Sequence, residues 1–309
     1  MTVARERVWV LADPRAGTAA QALGVAERLG EPFRTVPLAW SALARLPLSW
    51  PTLLGLTAEA QRGIVHPPPR LVISAGRRSA PVALWLARRG ARTVHAMRAP
   101  GTFDLHVIGR HDDPPAAPNI LPILGAAHRL SPERLRAARE EWHTLATLPQ
   151  PRVALLVGGP VRAEGMAPDA AAALGARVAA FAGSVLATAS RRTGTPATEA
   201  LAAALNGVPH RLHRWGGEAP NPLLGFMAWA DLIVATGDSV SMLSESLITP
   251  APLFIAAGEE GRRHRALHKS LYAAGQARPL DHAPAPFERA PLDETARIAA
   301  EIRARGLLA

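Results

Sequence analysis

The sequence lacks cysteine and has one lysine and one tyrosine among its 309 residues. Without cysteine there are no disulfide bonds, no thiolate zinc sites and no cysteine nucleophile. The single tyrosine, Tyr272, follows the single lysine, Lys269, so the chain has no Tyr-x-x-x-Lys pair. The missing pair and the missing dinucleotide fingerprint both count against a nucleotide-sugar epimerase.

Several sequence signatures of enzymes and of membrane spans are also missing. There is no G-x-G-x-x-G, Walker A, G-x-S-x-G or H-E-x-x-H sequence, which disfavours simple NAD binding, P-loop NTPases, elbow-type serine hydrolases and zinc proteases. No run approaches the ~18–20 apolar residues of a spanning helix, and the N-terminus lacks the apolar core of a signal peptide. We therefore expect a cytoplasmic protein that could be peripheral to the inner face of the membrane.

Positive charge is unevenly distributed along the chain. The formal net charge is +10, and residues 1–149 carry 19 basic against 11 acidic residues, whereas residues 150–309 carry 16 against 14. The excess of arginine over lysine partly reflects genomic base composition, so the high pI overstates the case for nucleic acid. We expect no nucleic-acid partner. A basic first half suits phosphate-bearing ligands or an anionic membrane.

Apolar runs of strand length alternate with segments of helical spacing, and the alternation occurs twice. Pro149 and Pro151 separate the two series. Such alternation predicts an α/β fold with two Rossmann-like domains, whose parallel sheets face an interdomain cleft. We expect a first domain over residues 1–148 and a second over residues 149–290.

Four predicted strand-to-helix turns combine glycine with hydroxyl or arginine side chains, and a fifth turn, without glycine, adds two arginines. Open parallel sheets bind ligands beyond the carboxyl ends of their strands, where backbone N–H groups and helix dipoles attract anions. One such turn alone is more often only a turn, but five of them predict a phosphate-bearing ligand. The turns are residues 12–18, with Arg15 and Gly17; residues 74–81, with Gly76, Arg77 and Arg78; residues 157–162, with Gly158 and Gly159; residues 188–193, with Ser190 and Arg191; and residues 236–241, with Ser239 and Ser241.

Three carboxylates lie near these turns, and each has alternative roles. Asp13 directly follows the first strand and could be a general base toward an acceptor hydroxyl, although its spacing favours a helix cap. Asp238 or Ser239 is placed to cap the helix after the strand at 231–236. Glu245, about two turns further on, could contact sugar hydroxyls or could be a solvated helix residue.

A basic cluster surrounds Arg263, with two more arginines and with His264 and His268 one helical turn apart. The local positive charge opposes cation binding, so we expect no metal there. The cluster could contact phosphate or carboxylate, or it could be a solvated face.

The segment 40–57 is rich in leucine, tryptophan and proline. We expect it to expose Trp40, Trp50, Leu53, Leu54 and Leu56. A surface loop of this kind could enter a membrane interface or hold a lipid-linked acceptor. The more common alternative is core packing under a long loop.

The sequence resembles the mitochondrial-fission "elongated mitochondria" family, whose bacterial members look like GT-B glycosyltransferases. The segments that carry the resemblance span nearly the whole chain and include "DPRAGTAAQALG", "LVISAGRRSAPVALWL", "LLVGGP", "TASRRT" and, most specifically, "DSVSMLSE". The resemblance implies that the second domain binds a nucleotide and that a C-terminal helix at 291–309 packs back toward the first domain.

By analogy with GT-B donor sites, the resemblance assigns roles to individual residues. Gly158 and Gly159 would approach the diphosphate with Ser190 and Arg191 nearby, Ser239 and Ser241 would supply a helix N-terminus, and Glu245 would contact the ribose. Asn221 joins the candidate substrate-binding residues.

The function that we expect is transfer of a sugar from a nucleotide-diphosphate donor to an envelope or lipid-linked acceptor. We expect no metal and no cofactor besides this donor substrate. The alternative is a non-catalytic, membrane-associated adaptor, because plant relatives act in this way.

Overall fold

The structure is a computed structural model that describes residues 7–64, 67–160, 165–217, 220–258, 260–281 and 284–309. Its strands are β1 (Val8–Ala12), β2 (Phe33–Pro37), β3 (Leu71–Ala75), β4 (Arg92–Ala96), β5 (Leu105–Gly109), β6 (Ile120–Ile123), β7 (Arg152–Val157), β8 (Ser184–Ala189), β9 (His210–His213), β10 (Leu232–Thr236), β11 (Leu253–Ala256) and β12 (Arg278–Pro279). Its α-helices are α1 (Ala16–Leu29), α2 (Ala58–Gly63), α3 (Ala80–Ala87), α4 (Pro132–Glu141), α5 (Pro168–Ala179), α6 (Thr195–Ala204), α7 (Leu223–Trp229), α8 (Val240–Ser246), α9 (Arg262–Ala273) and α10 (Glu294–Ala304).

The chain divides into two compact units, each with one six-stranded sheet. Unit 1 comprises Met1–Arg129 and Asp293–Ala309, and unit 2 comprises Leu130–Leu292. The strand orders are β2-β1-β3-β4-β5-β6 and β12-β11-β10-β7-β8-β9, and the paired strands run parallel. The predicted α/β class with two parallel sheets is confirmed.

Inner strands such as β7 and β10 are buried and apolar on both faces, as parallel sheets covered by helices require. In unit 1, residues of α1 and α10 cover one face of the sheet, and residues of α2, α3 and the 40–57 loop cover the other. In unit 2, α5 and α6 cover one face, and α7 with Leu145 covers part of the other.

The first boundary between the units lies earlier than the prolines suggest. Helix α4 packs against α7 of unit 2, where the Arg139 guanidinium donates to the Ala228 carbonyl and Trp229 Nε1 donates to the Arg139 carbonyl at 2.9 Å. Residues 130–148 therefore belong to unit 2 rather than to the first domain. Helix α10 packs against α1 in unit 1.

Three short elements were not predicted, namely α2, β9 and β12. Each has too few residues to show a period in the sequence, and β9 has the composition of a loop, His-Arg-Leu-His. Among the described helices, none has both the length and the apolarity for crossing a bilayer.

Candidate ligand site at the carboxyl edge of the second sheet

Strands β7 and β10 are neighbours at the point where the strand order of unit 2 reverses. From β7 the chain adds β8 and β9 on one side, and β10, β11 and β12 then extend the sheet on the other side. In open α/β sheets, ligands bind beyond the carboxyl ends of the two strands at such a reversal. The turns that follow β7 and β10 therefore form the centre of the candidate site.

These two turns are joined by a short hydrogen-bonded chain. The Thr236 hydroxyl accepts from the backbone N–H of Gly158 at 2.8 Å and donates to Asp238 Oδ1 at 2.7 Å. A Cβ on Gly158 would lie only 2.5 Å from that carboxylate oxygen. The Asp238 carboxylate is therefore bonded to another residue of this chain. Position 158 requires glycine because the two turns are in contact there.

A second link joins the turn after β7 to the turn after β8. The Thr193 hydroxyl accepts from the backbone N–H of Ser190 at 2.9 Å and lies 2.5 Å from the carbonyl oxygen of Gly158. A Cβ on Gly159 would lie 2.0 Å from the carbonyl oxygen of Arg192. The structure therefore brings Gly158, Gly159 and Ser190 together, and their contact with a diphosphate stays a prediction.

The link through Thr193 and the Thr236 hydroxyl was not predicted from the sequence. The only signal of this link in the sequence is that Thr236 ends β10 and Thr193 closely follows β8. Arg191, which is exposed beside these turns, leaves its charge available to an anion.

Helix α8 begins as predicted, with Ser239 as its N-cap. The Ser239 hydroxyl accepts from the backbone N–H of Met242 at 3.4 Å, while Ser241 is exposed. The hydroxyls of Ser244 and Ser246 donate to the carbonyls one turn earlier, at 2.6 and 2.8 Å. Most of the hydroxyls in this stretch therefore stabilise the helix, and Ser241 is the one left facing solvent.

Glu245 differs from its neighbours because its carboxylate has no hydrogen-bond or ion-pair partner among the described residues. The side chain is partly buried, and desolvation raises its pKa from 4.5 to about 7. A carboxyl group with a pKa near neutrality and no partner among the described residues is a feature of functional sites.

The basic cluster predicted around Arg263 separates into two parts in the structure. His268 is buried, and its Nε2 donates to the Gly237 carbonyl at 2.7 Å, which gives it a structural role. Burial, followed by the charge of Arg263, lowers the pKa of His264. Arg263 itself is exposed in the first turn of α9. Within the described residues, no group of His, Asp and Glu side chains has metal-binding geometry.

Asn221 is exposed just before α7, and its Oδ1 accepts from the backbone N–H of Leu223 at 3.1 Å. This bond accounts for the residue as a local cap. Its proposed substrate contact stays a prediction.

The carboxyl edge of the unit 1 sheet holds the remaining predicted residues. Asp13 is buried; its Oδ1 accepts from the backbone N–H of Arg15 at 2.8 Å and its Oδ2 from Trp40 Nε1 at 3.1 Å. Asp13 therefore anchors the 40–57 loop to the turn after β1, and the side chain does not cap α1, whose N-cap is Arg15. The role of Asp13 as a general base stays a prediction.

Strands β1 and β3 mark the reversal of strand order in unit 1, and their turns meet there. Gly76 has φ +85°, and a Cβ there would lie 2.8 Å from the Thr18 methyl group. Gly17 is exposed at the start of α1, Arg77 is exposed, and Arg78 is partly buried. These residues form a second sheet edge that carries glycine and arginine. Their role in substrate binding stays a prediction.

The prediction for the 40–57 loop needs correction. Leu56 is buried at 2% exposure, and Trp40 and Leu53 pack against the core of unit 1. Trp50 and Leu54 are exposed as predicted, and Leu43 and Leu46 are exposed as well. The difference arises because side chains such as Leu48 and Leu56 face the core of unit 1, whereas the exposed ones face solvent.

Comparison with solved structures shows that this two-sheet architecture is the GT-B fold. The glycosyltransferase SnogD from Streptomyces nogalater superposes with a TM-score of 0.56 over 98% of this chain and 95% of its own, at 14% identity. UDP-GlcNAc 2-epimerase from Methanocaldococcus jannaschii superposes with a TM-score of 0.52 over 96% and 99%, at 11% identity. The fold alone therefore does not choose between sugar transfer and epimerisation.

The chain belongs to the mitochondrial fission ELM1 family, whose model matches residues 16–306. It is 28% identical over 272 residues to the mitochondrial fission protein ELM1 of Arabidopsis thaliana. That match covers 76% of this chain and 63% of the plant protein, so the chain spans less than two thirds of that relative. The resemblance seen in the sequence is confirmed.

Proposed function

We propose that the protein transfers a sugar from a nucleotide-diphosphate donor bound at the carboxyl edge of the unit 2 sheet. The observation that carries this proposal is the unpartnered carboxyl of Glu245, with a pKa of about 7, on the helix that follows the central strand β10. Ribose hydroxyls would donate to the Glu245 carboxylate and so replace the solvation that burial removes.

The charges around this edge suit a diphosphate. Arg191 follows β8 and Arg263 lies in the first turn of α9, and both side chains are exposed. Since positive charge and backbone N–H groups stabilise a departing diphosphate, these two arginines would favour breakage of the bond between the sugar and the phosphate oxygen. The acceptor hydroxyl would lose its proton to a carboxylate, and we propose an envelope or lipid-linked acceptor.

Calorimetric titration with UDP-, GDP-, ADP- and CMP-sugars tests the donor site. If the ionised carboxylate binds the ribose, affinity at pH 6 falls about tenfold below that at pH 8, because a group with a pKa near 7 is about one tenth ionised at pH 6. Glu245→Gln should weaken binding and abolish this pH dependence. Glu288→Gln, which changes an exposed glutamate in the same unit, is the matched control.

A panel in which no donor binds the wild-type protein would remove the transferase proposal. Binding that is unchanged in Glu245→Gln would retain the function and remove this site.

The second candidate is an adaptor that keeps the GT-B fold without catalysis. The family match favours it, because the plant relative is named as a fission protein rather than as a transferase. Absence of donor binding, together with capture of a protein partner that survives changes at Glu245 and Arg191, would favour the adaptor.

A further inference from the structure

The 40–57 loop concentrates the exposed apolar surface of the described chain. Five large apolar side chains are strongly exposed, and four of them lie within this loop. We call these four the apolar apex: Leu43 (46% exposed), Leu46 (51%), Trp50 (52%) and Leu54 (51%). Single exposed apolar residues are ordinary, but four in one short loop mark an interaction surface.

The two ends of the loop are hydrogen-bonded to each other, and the apex lies between them in the sequence. The backbones of Trp40 and Leu56 form an antiparallel bridge, and Ser41 N–H donates to the Gly55 carbonyl at 2.9 Å. The indole of Trp40 donates to Asp13, and Leu48 is buried beneath the apex. The apex is therefore exposed although the loop that carries it is packed.

The charge around the apex is predominantly positive. Residues 32–103 contain ten arginines and a single acidic residue, Glu59, and so carry most of the net charge of the chain. Among the described residues, none of the exposed arginines on the loop, on α2 and just before or after α3 is paired with a carboxylate. These are Arg45, Arg62, Arg77, Arg88 and Arg89.

The arginines and the apex lie on one side of the unit 1 sheet. Buried residues of α2 and α3, such as Ala60 and Val82, share one core cluster with Leu56 of the loop. Leu46 and Leu48 of the loop line a shallow surface depression together with Arg77 and Arg78. Apolar and cationic groups therefore alternate over a short distance.

We propose that this side of unit 1 binds the surface of an anionic lipid bilayer. The apolar apex enters the interface between headgroups and acyl chains, and the surrounding arginines lie over anionic headgroups. Leucine and tryptophan are the side chains that favour this depth, and each basic residue near an anionic surface adds about 1 kcal/mol. A bilayer fits better than a protein partner because almost no acidic residues lie among these arginines to orient a partner. The inference goes beyond the proposed function, because either a transferase or an adaptor could use this surface.

The test is co-sedimentation of the full-length protein with vesicles of phosphatidylcholine alone or mixed with phosphatidylglycerol. We expect binding to the anionic vesicles that weakens with added salt, and little binding to the neutral ones. The double variant Leu46→Ser, Trp50→Ser should bind the anionic vesicles at least about tenfold less, because the transfer free energy of both side chains is lost. Its control is Trp215→Ser, which removes the fifth exposed apolar side chain, in unit 2.

A charge variant tests the second part of the surface. Arg45→Gln with Arg77→Gln should lower the partition coefficient about fivefold per arginine, which corresponds to about 1 kcal/mol each. Arg211→Gln, an exposed arginine of unit 2, should leave partition unchanged. Far-ultraviolet circular dichroism checks that the variants are folded, which we expect because the changed side chains are exposed.

Three outcomes would overturn the proposal. The wild-type protein could fail to bind anionic vesicles at low salt, or the apex variant could bind them as well as the wild type. Alternatively, sedimentation velocity could show a dimer that only the apex variant dissociates, with vesicle binding equal in both, and the apex would then be an interface between copies. None of these results depends on nucleotide binding.

Discussion

Replacement of Glu245 by glutamine should stabilise the protein at neutral and alkaline pH. In the folded chain, desolvation raises the pKa of this carboxyl to about 7, against 4.5 without that burial. Between these two pH values the folded state holds a proton that the unfolded state has released, so the free energy of unfolding falls as the pH rises through this window. A difference of this size corresponds to about 3 kcal/mol above pH 7, and this is an upper bound because the side chain keeps some solvent contact.

Urea denaturation of the wild-type protein and of Glu245→Gln at pH 4.5, 6, 7 and 8.5 measures this effect. The other titrating groups contribute equally to both proteins, so the difference in the free energy of unfolding isolates Glu245. We expect a small difference at pH 4.5, which grows in favour of the variant up to about pH 7 and is constant above it. A difference that does not change with pH, or that favours the wild type at pH 8.5, would refute the claim that this carboxyl is buried without a partner.

Three further predictions concern the architecture around the two sheets. Gly159→Ala should lower the free energy of unfolding by about 2 kcal/mol and weaken nucleotide binding, since its Cβ would overlap the Arg192 carbonyl; Gly207→Ala, which meets nothing within 4 Å, is the control for both measurements. Arg289→Met should lower the melting temperature and cost about 3 kcal/mol by urea denaturation, because the partly buried guanidinium, whose pKa burial lowers to about 10, donates to the carbonyls of Ser246 and Leu247 at the end of α8 and to that of Ala251. Burial, reinforced by a neighbouring histidine, holds the pKa of His95 well below 6.5, so the free energy of unfolding should fall as the pH drops below about 6.5, and His95→Asn should reduce this slope.

The fold could be predicted because it follows from short-range patterns in the sequence. Strands such as β7 and β10 are continuous apolar runs, and the helices between them show helical spacing, so the alternation itself indicates parallel sheets. The boundary between the units could not be predicted, because α4 is assigned by its contact with α7, many residues further along the chain. Proline marks a turn, but it does not determine which core a helix joins.

The 40–57 loop shows the same limit for exposure. Composition identifies the loop as apolar, yet Leu56 and Leu54 differ in exposure from 2% to 51% although only one residue separates them. The difference depends on the bridge between Trp40 and Leu56 and on the bond from Trp40 to Asp13, both of which are long-range contacts.

The candidate site separates the features that indicate a ligand from those that the chain requires for itself. Glycine and hydroxyl residues predict a ligand site at this edge. However, Gly158 and Gly159 are already required by contacts between turns, and Ser239 is required by the cap of α8. Such residues would be needed whether or not a nucleotide binds. Glu245 is different, because its burial raises the free energy of the folded state at neutral pH and no described residue offsets that effect. A ligand that donates hydrogen bonds would offset it, and for this reason Glu245, rather than the glycine-rich turns, carries the functional argument.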